Sequence, residues 1–169
     1  MNESVIYLPE VDSTNLWAKH NLDKFGPIGA VYTTHQTAGR GRLGRSWLDA
    51  PHKGLYYTAV IRTDLVQPAT LPLFASLAVC DALRERYRID CQIKWPNDLA
   101  ERQKIVGILC EVGPDGHSIV VASASIWPSR RNISTPRVCP TAPAWLCRAC
   151  PWTWTPTGVA GSIHDRLRL

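Results

Sequence analysis

Three segments carry residue types whose spacing suits polar chemistry. The first, Gln36-Thr37-Ala38-Gly39-Arg40-Gly41-Arg42-Leu43-Gly44-Arg45-Ser46-Trp47, interleaves glycine with arginine. Glycines let a backbone wrap a ligand, and guanidinium groups hold phosphate or carboxylate oxygens through paired donors. Gly39, Gly41 and Gly44 formally make a GxGxxG, but a dinucleotide fold needs a helix opening there, and Pro51 and Gly54 follow before a strand-like stretch. No Gly-Lys-Ser/Thr closes the segment, so it is not a P-loop either. What remains is a mobile loop with three arginines, which a solvated basic turn explains as well as an anion clamp does. The second segment, Lys94-Trp95-Pro96-Asn97-Asp98-Leu99, sets a cation, an amide and a carboxylate at the end of a strand, where Pro96 turns the chain. The third, Lys104-Ile105-Val106-Gly107-Ile108-Leu109-Cys110-Glu111, puts a lysine at the mouth of an apolar strand, with Gly107 allowing close approach. Each has a structural alternative, an aggregation guard at a strand edge or a simple turn.

These segments need a scaffold. Ser13 reads as the N-cap of an amphipathic helix running to Leu22, with Leu16, Trp17 and Leu22 available to the core. A second helix is expected from Thr70 to about Arg88, with Pro72 in its first turn and Leu73, Phe74, Leu77, Ala78, Asp81 and Leu83 at mostly 3–4 spacing. Strands are expected at 30–34, 55–62, 91–94, 105–112 and 118–121, where β-branched and aromatic residues gather. Gly113-Pro114-Asp115-Gly116 joins the last two as a hairpin. The fold class is therefore α/β (α+β), a mixed, partly antiparallel sheet flanked by helices.

Length and charge limit the alternatives. The 169 residues make one domain of ordinary size. There is no apolar run near the roughly 18 to 20 residues of a membrane helix and no signal-peptide pattern at Met1-Asn2-Glu3-Ser4. A cytoplasmic, reducing location is expected, and with it no disulfide framework. The net charge of +5 would suggest nucleic acid, but residues 1–121 balance 13 basic against 13 acidic side chains. The surplus comes from 122–169, which hold six Arg, no Lys and one acidic residue, Asp165, together with four of the seven Trp and three of the six Cys. Two compositions meet near Val121, dividing the chain into an expected domain at 1–121 and a tail at 122–169.

Taken in order, Ser13-Thr14-Asn15, Gln36 through Trp47, Lys94 through Leu99 and Lys104 through Glu111 resemble the catalytic domain of biotin protein ligases, the biotin-[acetyl-CoA carboxylase] ligase family. The resemblance covers residues 4–121 and looks like the monofunctional form, without a repressor domain. It implies activation of biotin by ATP and Mg²⁺ to biotinyl-5′-adenylate, followed by transfer to a lysine of a biotin carboxyl carrier domain. It further implies that Ser13, Thr14, Asn15, Gln36, Gly39, Gly41 and Gly107 belong to the biotin site. Arg40, Arg42 and Lys104 would hold the biotin carboxylate and the phosphate as the catalytic cations. Arg42, Arg45, Trp47, Lys94, Asn97 and Asp98 would lie by ATP, with Asn97 and Asp98 nearest its metal. Intact members also carry a small C-terminal β-barrel domain and can form homodimers. A lipoate or octanoate transferase of the same fold, and a noncatalytic biotin- or nucleic-acid-binding remnant, are the alternatives.

The resemblance stops at a defined place. The family continues with a strand reading roughly Gly-Ile-Gly-Ile-Asn-x-Ala, where this chain has Ala122-Ser123-Ala124-Ser125-Ile126-Trp127-Pro128. Shifting the reading frame by one nucleotide makes every one of these positions compatible with Gly-Ile-Gly-Ile-Asn-Leu-Ala. The expectation is that residues from about 122 onward are an out-of-frame translation in place of the barrel domain, leaving activity weakened or lost. Arg-, Pro-, Trp- and Cys-rich text is what a shifted GC-rich frame produces. A zinc reading of Cys139, Cys147 and Cys150 lacks a second matching pair, and an Arg-Trp arm that binds nucleic acid lacks any motif.

Overall fold

The computed structural model describes residues 5–47, 54–62, 68–101 and 104–126. Chain order is β1 (Val5–Tyr7), α1 (Thr14–His20), β2 (Ile28–Thr33), β3 (Gly54–Arg62), α2 (Leu71–Tyr87), β4 (Gln92–Lys94), β5 (Asp98–Ala100), β6 (Lys104–Val112) and β7 (Ser118–Ile126). The strands form one seven-stranded sheet in the order β1-β2-β3-β7-β6-β5-β4. Only β1 and β2 pair in parallel, and every other neighbour is antiparallel. The mixed, mostly antiparallel sheet with flanking helices agrees with the expectation from sequence. Two short strands, β1 at one edge and β5 between β6 and β4, carry too few residues to show a period and were not expected.

Alternation along the strands sends side chains to two faces. Ala30, Tyr32, Tyr57, Ala59, Ile119 and Val121 pack with Leu71, Ala75, Val79 and Leu83 of α2. Val31, Val60 and Val120, one residue out of phase, pack with Ala18 of α1 and with Phe25. The sheet is thus the middle of three layers, with one helix on each face.

The expected buried face of α2 is corrected. Leu73, Phe74 and Leu77 are exposed, while Leu71, Ala75, Ser76, Val79, Cys80, Ala82 and Leu83 are buried. The helix is apolar on nearly every side, so periodicity could not choose a face. The sheet selects the side with Ala75, Ser76 and Ala82, whose small side chains let the helix axis approach closely. The helix ends at Arg88, left-handed at φ 55, whose N–H returns to Arg84 O, while the N–H of Ile89 bonds Leu83 O.

Ser13 caps α1 as expected, and Trp17 and Leu22, partly covered, pack against the core on this face as expected. The helix ends at His20 rather than Leu22, and its buried residues are Thr14, Asn15 and Ala18, with Ser13 also buried. Burying hydroxyls and an amide costs free energy unless each finds a partner. Those partners build the site below.

The hairpin between β6 and β7 turns at Gly113–Gly116 as expected. Asp115 accepts from Ser118 Oγ at 2.6 Å and from the N–H groups of Ser118 at 2.9 Å and His117 at 3.2 Å. These donors hold the Asp115 carboxyl below its usual range, the Ser118 hydroxyl most of all. Strand β7 continues through the composition break at Val121 and pairs through Ile126 with Gly54 on β3. Among the described residues no helix is long and apolar enough to cross a membrane.

Candidate active site

On the α1 face of the sheet lies an open cleft of about 250 Å³, lined by Ser13, Thr14, Asn15, Gln36, Arg40, Tyr56, Ala122, Ser123 and Ala124. Five of these were read from the sequence as biotin-site residues. The other four, Tyr56 and Ala122 to Ala124, were missed. Tyr56 looked like ordinary strand text, and the alanines lie beyond the point where the family pattern ends.

The polar wall is a continuous network. Gln36 Oε1 accepts from the N–H of Thr14 at 2.8 Å and from Thr14 Oγ1 at 3.1 Å. Thr58 Oγ1, on β3, lies 2.9 Å from Thr14 Oγ1 and 3.1 Å from Asn15 Oδ1. Asn15 Nδ2 donates to Glu111 Oε2 at 2.8 Å, and Lys19 pairs with Glu111 Oε1 at 2.9 Å. Sequence reasoning placed Glu111 at the end of a motif without a role and passed over Thr58 and Lys19, because their partners are 43 to 96 positions away for Thr58 and Glu111.

The glycine-arginine segment is a folded hairpin rather than an open loop. Trp47 N–H donates to Gly39 O at 2.9 Å, Gly41 N–H donates to Arg45 O at 2.7 Å, and Arg40 pairs with Ser46. A single 3₁₀ turn at Arg42–Gly44 forms the tip, with left-handed Leu43 and Gly44. No long helix opens at the glycines, as expected. The base is tight: a Cβ at Gly39 would lie 2.7 Å from Gln36 Nε2 and 3.0 Å from Trp47 O. Arg42 Nη1 donates to Asn97 Oδ1 at 2.9 Å, tying the tip to the turn between β4 and β5.

That turn and β6 make the second half of the site. Asn97 Nδ2 donates to Ile108 O at 3.0 Å, and Ile108 N–H donates to Asn97 O at 2.8 Å. Asp98 Oδ1 lies 2.7 Å from Lys104 Nζ, a contact with the geometry of an ion pair more than of an aligned hydrogen bond. The Trp47 indole covers Gly107, where a Cβ would lie 2.6 Å from the ring, and Lys104 Nζ sits 4.8 Å from the ring centroid. Trp47 Nε1 is buried with no hydrogen-bond partner among the described residues. Arg40, Arg45, Lys94 and Trp95 are exposed, Lys94 on the edge strand β4.

The structure therefore gathers the expected residues into two adjoining parts joined by the hairpin: a hydrogen-bonding cleft at 13–15, 36 and 40, and a cationic patch at 42, 97, 98 and 104. Gly107 falls with the second part, under Trp47. Among the described residues no three His, Cys, Asp or Glu side chains converge. Asn97 is committed to Arg42 and Ile108 and Asp98 to Lys104, so in this arrangement these two do not fit a protein-held metal. The thiols of Cys91, buried, and Cys110, partly buried, are poor nucleophiles, since desolvation pushes both up to about 12.

Residues 6–124 match the model of the Biotin/lipoate A/B protein ligase family, and the chain belongs to that family. Among its relatives, the bifunctional ligase/repressor BirA of Bacillus subtilis is 36% identical over 116 residues, 66% of this chain and 36% of BirA. The biotin-[acetyl-CoA-carboxylase] ligase of Paracoccus denitrificans is 34% identical over 128 residues, 70% of this chain and 51% of that protein. The chain thus spans about a third to a half of the length of these relatives. The biotin protein ligase of Aquifex aeolicus in complex with biotin and ATP has a similar structure, with TM-score 0.74 and 29% identity over 99% of this chain and 69% of that one. The Leishmania major enzyme in complex with biotin gives 0.75 and 26% over 99% and 73%.

Proposed function

We propose that this chain is a biotin protein ligase, which joins biotin to ATP as biotinyl-5′-adenylate and passes biotin to a lysine of a carboxyl carrier domain. The observation that carries this reading is the hairpin 39–47. One end lies against Gln36 in a hydrogen-bonding cleft, and its other contacts reach Asn97, Lys104 and Gly107 in a cationic patch. Such a site suits a reaction that must bring two anions together.

A biotin carboxylate oxygen attacks the α-phosphorus of ATP; a new O–P bond forms as the bond to pyrophosphate breaks. Both reactants are negative, so the protein's task is positioning and charge stabilisation. Ser13, Thr14, Asn15 and Gln36 hold the neutral head of biotin, and Gly39 and Gly41 bring the hairpin backbone close. Arg40, at the cleft, holds the carboxylate. Arg42 and Lys104, released from Asn97 and Asp98 when phosphate oxygens replace them, hold the α-phosphate. Arg45 and Lys94 face the remaining phosphates, and Trp47 covers the nucleotide side with its free indole N–H. Mg²⁺ carried on the ATP phosphates would neutralise charge there without a ligand from Asn97 or Asp98. In the second step the carrier lysine attacks the acyl carbon and AMP leaves. The hairpin keeps water from the mixed anhydride until then. The reaction belongs to the cytoplasm, where carrier domains and ATP meet.

Biotin-dependent exchange of pyrophosphate into ATP by the purified chain tests the first step without a carrier. Exchange above the blank lacking biotin supports the reading. A folded sample that binds biotin but gives no exchange reduces it to the noncatalytic alternative, and one that binds neither biotin nor ATP overturns it.

A further inference from the structure

The polar network behind the cleft contains three residues that do not line it, Thr58, Glu111 and the Lys19 that pairs with Glu111. Each hydrogen bond in it has only one possible direction. The N–H of Thr14 can only donate, so the atom of Gln36 facing it must be the carbonyl Oε1, and Nε2 is turned toward Gly39. Thr14 Oγ1 gives its proton to the same carbonyl, which leaves it able only to accept from Thr58. At the other end the Glu111 carboxylate can only accept, so Asn15 must present Nδ2 to it and Oδ1 to Thr58. Lys19 occupies the other Glu111 oxygen and holds the carboxylate in place. The Thr58 hydroxyl, fully buried at 0% exposure, bridges the two halves by sharing one proton between Thr14 and Asn15.

The geometry points to Thr58 and Glu111 as positioning residues that set which atoms of Thr14 and Asn15 face the ligand, beside a Gln36 amide that the Thr14 N–H fixes. The inference rests on the biotin reading for the identity of that ligand. A pocket whose amides could flip would present acceptor and donor at random to a ureido group. With both amides locked from behind, the cleft offers one pattern, and the ligand meets it without reorganisation. Glu111 also lies on β6, the strand that begins with Lys104 and contains Gly107, so one strand supports both halves of the site.

Thr58→Val keeps the shape of the side chain and removes the hydroxyl, and Thr58→Ser restores the hydroxyl. Dissociation constants for biotin and for ATP, measured by calorimetry on the full chain, are expected to separate. Thr58→Val weakens biotin by about five- to tenfold, the loss typical of one buried hydrogen bond, and leaves ATP unchanged, while Thr58→Ser binds biotin as the parent does. Glu111→Gln, which can present an amide donor to Asn15, weakens biotin as well. Equal biotin affinity in the parent and both Thr58→Val and Glu111→Gln overturns the inference, as does parallel loss of biotin and ATP, which marks a structural role alone. The side-chain amide resonances of Gln36 and Asn15 report the network with no ligand present. They shift in Thr58→Val and return in Thr58→Ser if the inference holds, and stay in place if it fails. A parent that shows this pattern but binds no biotin overturns the ligand reading instead.

Discussion

Replacing Gly107 by alanine would drive a methyl group into the anchor of the arginine hairpin. The new Cβ would lie 2.6 and 2.7 Å from Cζ3 and Cη2 of Trp47 and 3.2 Å from Cε of Lys104. Non-bonded carbons settle at about 3.5–4.0 Å, so the indole must retreat by about 1 Å. Overpacking of this kind costs about 1–3 kcal/mol when it can be absorbed at all. The cheapest relief is to lift Trp47, because Gly107 is held in a strand paired on both sides. Lifting it disturbs the Trp47 N–H bond to Gly39 O and the approach of Lys104 to the ring. A displacement of about 1 Å in groups that orient reactants can cost about 100-fold in rate. Pyrophosphate exchange by Gly107→Ala should therefore fall by about one to two orders of magnitude, while biotin affinity, set in the other half of the site, changes by less than about threefold. The double-mutant cycle with Trp47→Ala isolates the cause. Once the ring is gone, adding Gly107→Ala should cost less than about twofold. If the alanine costs the same factor with and without the indole, the steric argument is wrong.

Arg40→Gly removes the cation at the cleft, and is expected to release adenylate and label nearby lysines promiscuously; retention of adenylate as long as in the parent, followed in a filter-binding chase, refutes this. Ala122→Gly and Ala124→Gly remove two methyls from the lining of the cleft. Together they should tighten biotin binding, and calorimetry showing equal or weaker binding would count against the cleft as the biotin site. Sequencing of the coding DNA bears on the same residues: the frame proposed for 122 onward predicts glycine at both positions, and stops in the shifted frame would exclude it. For the β6–β7 hairpin the sign is set by Asp115, whose folded carboxyl lies below its ordinary 3.8. Its stabilisation is present above that value and is lost as pH falls through the lowered one. The protection of the Ser118 N–H against hydrogen exchange, relative to its intrinsic rate at each pH, should fall in acid for the parent, and Asp115→Asn should flatten that dependence.

The chemistry of this protein was legible in short stretches of sequence because it rests on local signals. Ser13 caps a helix, Gly113 to Gly116 can only turn, and glycine alternating with arginine from Gly39 to Arg45 marks a cationic segment with a turn. Strand positions followed from β-branched text, and the mixed sheet followed from the hairpin. Sequence alone did not decide which faces meet. Leu73, Phe74 and Leu77 of α2 satisfy a helical period as well as the residues that are buried, and only the close approach of the sheet selects the small side. Nor could it reveal that Ser13, Thr14 and Asn15 point inward, because the partners that make their burial tolerable, Gln36, Thr58 and Glu111, come from distant strands. The arginine hairpin was visible as a motif, but its closure depends on Asn97 and on the space above Gly107. Propensity and capping act between neighbours in the chain and can be read along it, whereas the direction of a buried hydrogen bond or the room for an indole exists only once remote segments have packed together.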